Sequence, residues 1–466
     1  MASSPKLTSP ITVPLPLGLD PVAACHALQG DSHPFFLDSG MAVGSYGRWS
    51  FVGADPFLTI QAKGMLAEIW TPEGTERREG DPLAILAELL ERFSAPANKT
   101  GLPFIGGAVG YLSYDLCHFI ERLPRTAVDD VGVPDLSFAF YDTVAVFDHE
   151  TGTAKVVATD VARPGHETRA EELTATLSEA ACPSLPEASS PPGTLQASFT
   201  PDEYRAAVAR VVEYIYAGDL IQVNLSQRFS AGLRETPWEL YRRLRAINPA
   251  PFAAYLGFPD TQVVSASPER FLRVEAGRVE TRPIKGTRPR GKTPEEDAAL
   301  ADELRGSVKD NAELVMIVDL ERNDIGRVCQ AGTVRVPELV VLESYPTVHH
   351  LVATVVGDLE TGRGPVDLIR ATFPGGSITG APKVRAMEII DEMEPTQRGI
   401  YTGSIGYIGF DGSMDLNIAI RTIVARNGKA HFQVGGGIVA DSVPEAEYRE
   451  TLDKGRALAE ALGYAI

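Results

Sequence analysis

Polar and apolar positions repeat with two different periods along this chain, and the period changes where glycine and proline collect. Phe35-Phe36-Leu37, Arg48 to Val52 and Thr143 to Phe147 are short runs rich in aromatic and β-branched residues, and they predict strands. Residues 81–93 and 166–181 carry helical spacing. Between 178 and 198 proline, serine and alanine dominate and no period survives, which predicts a linker. The chain thus divides into an N-terminal domain over 1–177, the linker 178–198 and a second domain over 199–466.

Punctuation is sharper beyond the linker. Thr200-Pro201-Asp202-Glu203 predicts a capping box with proline in the first turn. Tyr204, Val208, Val211, Val212 and Ile215 form the apolar stripe of the helix that follows, and Gly218 ends it. Leu220 to Phe229 alternates as a strand, with Ile221, Val223, Leu225 and Phe229 on one face and Gln222, Asn224, Ser226 and Arg228 on the other. Met414 to Val424 alternates in the same way and puts Asp415, Asn417, Ala419 and Arg421 together. An arginine in mid-strand there predicts a carboxylate ligand or a structural ion pair. Asp411-Gly412 and Asn427-Gly428 predict hairpin turns. Hairpin-linked strands mixed with helices predict an α+β fold of antiparallel sheets.

Composition narrows the function classes. With 466 residues, 44% hydrophobic and 23% charged, the chain is an ordinary globular one with ample core. A formal charge of −19 argues against a nucleic-acid partner, because phosphate binding needs a basic face. No apolar run approaches the ~18 residues that span a bilayer, so no membrane partner is expected. Cys25, Cys117, Cys182 and Cys329 are far apart, with no CxxC pair, and the first residues lack the features of a secretion signal. The expected compartment is the cytoplasm.

Candidate chemistry gathers around Lys285, in Arg282-Pro283-Ile284-Lys285-Gly286-Thr287-Arg288-Pro289-Arg290-Gly291. A lysine held in a stiff, cationic loop can lose its proton near neutral pH and act as a nucleophile. Glu269 precedes it across an apparent hairpin at Gly277 and could serve as the acid; His350 could face the same pocket. Ser442-Val443-Pro444-Glu445 predicts a capping box that opens the last helix, on which Glu447, Glu450 and Lys454 share a face. Asp310 and Glu313 share a face on another helix. These carboxylates could hold one Mg²⁺ between the two helices or could be solvated helix faces. Phe373-Pro374-Gly375-Gly376-Ser377-Ile378-Thr379-Gly380 runs into a helix expected near Ala381, and its backbone N–H groups suit an anion. Gly435, Gly436 and Gly437 predict a close backbone approach to a ligand rather than a dinucleotide site.

Six ordered segments resemble the chorismate-utilising enzyme family: Ile221 to Ser226, Ser267-Pro268-Glu269-Arg270, Pro283 to Gly291, Met316 to Asp324, Gly380 to Lys383 and Gly437 to Ser442. The first half is similar more loosely, at Leu37-Asp38-Ser39-Gly40 and Gly47 to Gly53. The resemblance implies two facing antiparallel β-sheets flanked by helices, with the N-terminal half interleaved with the core. It also implies roles. Glu313 and Glu450 would bind Mg²⁺, supported by Asp310 and Glu447. Tyr401 and Arg421 would take the enolpyruvyl carboxylate of chorismate. Lys454, Thr379, Gln222 and the Gly435–Gly437 backbone would line the substrate. Ser39 would belong to a tryptophan pocket. Family members that form anthranilate carry alanine in place of Lys285, whereas those that form 4-amino-4-deoxychorismate carry lysine. The implied activity is therefore the second, toward p-aminobenzoate and folate, with a covalent Lys285 adduct. Ammonia would come from a separate glutamine amidotransferase subunit. Anthranilate formation, or a non-catalytic subunit that binds chorismate or tryptophan, are the alternatives.

Overall fold

The computed structural model describes residues 9–41, 46–185, 193–345 and 348–466. Two twelve-stranded sheets face each other, and every strand pairing within them is antiparallel. Each sheet draws on both halves of the chain. In the first, Phe35–Asp38 pairs with Phe252–Gly257; in the second, Gly107–Leu112 pairs with Ser404–Gly409. Strands from the two halves of the chain thus lie side by side in both sheets. One core layer lies between the sheets, where Phe35, Phe51, Phe104, Val109, Tyr111 and Tyr407 pack together. Fully burying one such side chain contributes about 1.5–3 kcal/mol, so this layer is a main source of the sheets' adhesion. Three further clusters seat helices against the sheets.

Local signals explain most elements. The capping box at Thr200 forms as expected: Thr200 Oγ1 accepts from Glu203 N, Glu203 answers to Thr200 N at 2.7 Å, and the helix Pro201–Tyr216 follows. Asn427 and Gly428 both take positive φ, 51° and 72°, and close the tight hairpin between Thr422–Arg426 and Lys429–Ile438.

Four expectations need correction. Met414 to Val424 is two strands in different sheets, Met414–Asn417 and Thr422–Arg426, with residues 418–421 crossing between them. Arg421 sits in that crossing at φ 52°, not in mid-strand. The pleat alternates equally well for one strand or two, so periodicity could not reveal the break. The helix expected near Ala381 starts at Lys383, because Gly380–Ala381 is spent pairing with Val223 and Gln222. Ser442 does not cap the last helix. The helix is Pro444–Ala461 with Val443 at its cap, and the Ser442 hydroxyl instead donates to Glu447 Oε1 over 2.6 Å. Ile221 is largely exposed and precedes its strand, Gln222–Gly232, whose polar face turns inward: Gln222 and Ser226 are both buried. Among the described residues no helix is long and apolar enough to cross a membrane.

Candidate active site

The site forms where two neighbouring chain segments change sheets side by side. Gln262–Ser267 lies in the first sheet beside Thr422–Arg426, and its continuation Arg270–Glu275 lies in the second beside Met414–Asn417. Pro268 and Glu269 bridge one crossing, residues 418–421 the other, and the Ile418 N–H donates to Glu269 O over 3.0 Å. Such a crossing lets side chains from both sheets and from the outer helices meet in one cleft.

Lys285 arrives from the edge strand Ile284–Pro289, opposite Leu351 of Val348–Asp358. The ladder bulges between Lys285 and Thr287, at Gly286, which takes φ 72°. A Cβ at Gly286 would sit 3.0 Å from Asp310 Cβ on the helix Val308–Gly326 and 2.8 Å from Leu304 Cδ1 on the helix Pro294–Gly306. The bulge therefore fixes how close Lys285 comes to Glu313. Lys285 Nζ donates to Ser377 O over 3.2 Å, and Ser377 Oγ donates to Glu269 Oε1 over 2.7 Å. Burial pushes the Lys285 amine down from its ordinary value; Glu313, Glu269 and Glu450 pull the other way and do not prevail. Burial likewise pushes the Glu269 carboxyl up, against the opposing pull of Ser377 and Lys285. A neutral amine and a protonated carboxyl are the forms that a nucleophile and a general acid require.

Glu313 and the helix Pro444–Ala461 face this pair. Burial raises the Glu313 carboxyl despite Lys285 and Lys309. Partial burial also works against charge at Glu450. There Lys454, 2.5 Å away, together with Lys309 and Lys285, prevails and holds the carboxyl below its usual range. Burial raises Glu447, which is held by Ser442. Gly436 is what lets both glutamates lie against the strand, for a Cβ on it would meet Glu447 Oε2 and Glu450 Oε1, each at 3.2 Å. Asp310 is engaged by Arg288 Nη2 at 3.3 Å. Among the described residues no three acidic, histidine or cysteine side chains close on one point as a metal cage.

The remaining candidates are placed as follows. Lys454 Nζ donates to Gly435 O over 3.0 Å. Thr379 is buried and donates through Oγ1 to Gly375 O over 2.9 Å. Arg421 carries Tyr401 and Glu450 as its electrostatic partners, and burial lowers its pKa; Tyr401 also lies under the Arg398 guanidinium. His350 shares a hydrogen bond with Thr287 Oγ1 at 2.9 Å, and burial lowers its imidazole to about 4, so it is neutral near pH 7. Ser39 belongs to a different cavity, of roughly 280 Å³, between the sheets with Trp49, Phe252, Arg270 and Asp415. Ser377 and Asn224 were not singled out from the sequence as site residues. Asn224 was legible only as one of a polar row on a strand, and Ser377 only as one letter of a glycine loop.

A cleft that sets a desolvated amine beside a desolvated carboxyl, under two facing carboxylate helices, defines an enzyme acting on a small anionic molecule. The chain belongs to the chorismate binding enzyme family, whose model matches residues 35–460. It is 43% identical over 440 residues to aminodeoxychorismate synthase component 1 of Bacillus subtilis, covering 93% of this chain and 92% of that one. It is 44% identical over 452 residues to anthranilate synthase component 1 of Thermus thermophilus, covering 96% of each. Among solved structures it is similar to anthranilate synthase component I of Streptococcus pneumoniae, with a TM-score of 0.79 and 35% identity, covering 88% of this chain and 91% of that one. The protein is a chorismate-utilising enzyme.

Proposed function

We propose that this enzyme aminates chorismate at C4, giving 4-amino-4-deoxychorismate, through a covalent adduct of Lys285 at ring carbon C2. The observation that carries the reading is the serine bridge, Lys285 Nζ to Ser377 O at 3.2 Å and Ser377 Oγ to Glu269 Oε1 at 2.7 Å. It sets a nucleophile and an acid at a fixed spacing. In the first step the Nζ lone pair bonds C2, both ring double bonds shift (C1=C2 to C1=C6 and C5=C6 to C4=C5), the C4–O bond breaks, and the Glu269 proton leaves with the hydroxyl as water. The amine's surplus proton returns to the carboxylate. In the second step ammonia bonds C4, both double bonds shift back, and the C2–Nζ pair returns to lysine, which takes up a proton as the new C4 ammonium gives one up.

Mg²⁺ suits the donor set, because it accepts one or two carboxylates and fills its shell from water and substrate oxygens. Glu313 and Glu450 would hold it, with Glu447 and Asp310 in support, and it would supply positive charge for the ring carboxylate. Arg421 and Tyr401 serve the enolpyruvyl carboxylate. Lys454, Thr379, Gln222 and the Gly435–Gly437 backbone shape the wall. His350, being neutral, orients the loop through Thr287 rather than donating a proton. Ammonia comes from a separate amidotransferase subunit, in line with the "component 1" in the names of the relatives. The Ser39 cavity is sized for a small aromatic amino acid such as tryptophan. It lies one residue from the chemistry, because Arg270 lines it while Glu269 serves the cleft.

The anthranilate reading stands second, since the Thermus thermophilus relative is as similar as the Bacillus subtilis one. Chorismate, ammonium and magnesium with the full chain decide between them. Mass spectrometry should find the 4-amino product, which a lyase turns into p-aminobenzoate. Fluorescent anthranilate as the main product would overturn the reading.

A further inference from the structure

Among the described residues three buried polar atoms of Gln222 and Asn224 have no hydrogen-bond partner, and Asn224 meets Lys285 at the Ser377 carbonyl. The strand Gln222–Gly232 turns Gln222 and Asn224 to one side, and Asn224 pairs with Gly437 of the neighbouring strand. Gln222 is wholly buried, yet neither its Nε2 nor its Oε1 has a hydrogen-bond partner among the described residues; the same holds for Asn224 Oδ1. A buried polar atom left unpaired costs about 1–3 kcal/mol, so three at one place mark a spot that a ligand completes. Two of them, Gln222 Nε2 and Asn224 Oδ1, meet where Gly437 has no side chain. A Cβ there would lie 2.7 Å from Gln222 Nε2 and 3.1 Å from Asn224 Oδ1.

The Asn224 amide has only one sensible orientation. Its Nδ2 donates to Ser377 O over 3.1 Å, the carbonyl that Lys285 Nζ also reaches. Flipped, it would set two oxygens face to face. The free atom is therefore an acceptor, and its ligand must bring an N–H or O–H.

We propose that Asn224 Oδ1, with the Gln222 amide beside it, docks the ammonia that attacks the lysine adduct. This rests on the amination reading above. An acceptor engages an N–H and leaves the nitrogen lone pair free for carbon, which is the orientation an attacking amine needs. Water held at that point would attack C4 and restore the hydroxyl, undoing the first step, so a productive site there must favour ammonia. The dock is one carbonyl oxygen away from the amine that ammonia displaces.

The test uses the full chain with chorismate, magnesium and ammonium chloride at fixed pH. KM is measured separately for ammonium and chorismate, and the adduct is weighed without ammonium. In Asn224→Leu, of similar shape but without an acceptor, the ammonium KM should rise about tenfold or more, the worth of one lost hydrogen bond. The chorismate KM and the adduct should persist. Asn224→Ala removes the same acceptor without adding bulk or charge and should raise the ammonium KM alike. An unchanged ammonium KM, or an equal rise in both KM values, in either variant overturns the dock. If Asn224→Leu does not fold, the Asn224→Ala value alone decides. Failure of the amination reading shows elsewhere, as absence of adduct and 4-amino product in the unaltered chain.

Discussion

Lys285 and Glu269 hold opposite ends of one residue: the amine takes the carbonyl of Ser377 and the carboxyl takes its hydroxyl. Lys285 comes from a strand, Glu269 from the crossing between two others, and Ser377 from a short helical turn, Gly376–Ile378, packed against Leu320. Their separation is thus set by three independent elements. That is how a reactive pair is kept in register without touching.

Lys285→Ala should abolish the covalent adduct and lower the rate of 4-amination on the order of 10³-fold. Intact-protein mass spectrometry after incubation with chorismate alone checks it. An adduct of unchanged mass in the variant would refute the lysine's role.

Because burial lowers the Lys285 amine, kcat/KM should fall on the acid side as that amine takes up its proton, at a pH below the ordinary lysine value. Glu269 favours the charged amine, so Glu269→Gln should lower the lysine pKa further. The acid limb should then move to lower pH while the rate drops for want of an acid. An NMR titration of the lysine, isotopically labelled at its ε-carbon, reads the shift directly. Movement to higher pH would contradict the electrostatic account.

Gly286→Ala should destabilise the fold by about 1–3 kcal/mol, since alanine at φ 72° is strained and its Cβ meets Asp310 at 3.0 Å. The helix with Glu313 must move away from Lys285, so kcat should fall more than the loss of stability explains. Thermal melts alongside kinetics at a temperature where both proteins are folded check this; unaltered kcat would show that the bulge only shapes the loop.

Glu313→Gln and Glu450→Gln should each raise the magnesium concentration for half-maximal activity about tenfold or more, with little effect on melting temperature. Activity titrated with MgCl₂ after chelation is the measurement. Unchanged magnesium dependence in both variants would remove these helices from metal binding.

Glu321 is buried, accepts a hydrogen bond from Thr281, and burial raises its carboxyl to about 8. The unfolded chain loses that proton near the ordinary carboxylate value, whereas the folded chain keeps it to about pH 8. Between these values the native state binds more protons, so stability falls as pH rises, by up to about 1.4 kcal/mol per unit, and levels off above pH 8. Glu321→Gln should therefore gain stability relative to the unaltered chain from pH 5 to 8. Urea unfolding across that range checks the slope; parallel curves would mean Glu321 is charged when folded.

The sequence by itself determined what is local. The Thr200 cap, the Asn427-Gly428 hairpin, the alternation of Gln222 to Phe229 and the i, i+3 carboxylates depend on a few neighbouring residues, whose preferences act within a turn or a pleat. Family motifs named the candidates one segment at a time. Tertiary structure decided what belongs together. That Met414 to Arg426 changes sheets, that Ser377 joins Lys285 to Glu269, and that Asn224 turns an unpaired oxygen toward Gly437 all depend on partners many tens of residues apart. A strand's period is the same in either sheet, and a serine in a glycine loop looks alike whether it braces a site or faces water. Only long-range packing distinguishes these cases, because it alone settles which buried polar groups find partners and which are left for a ligand.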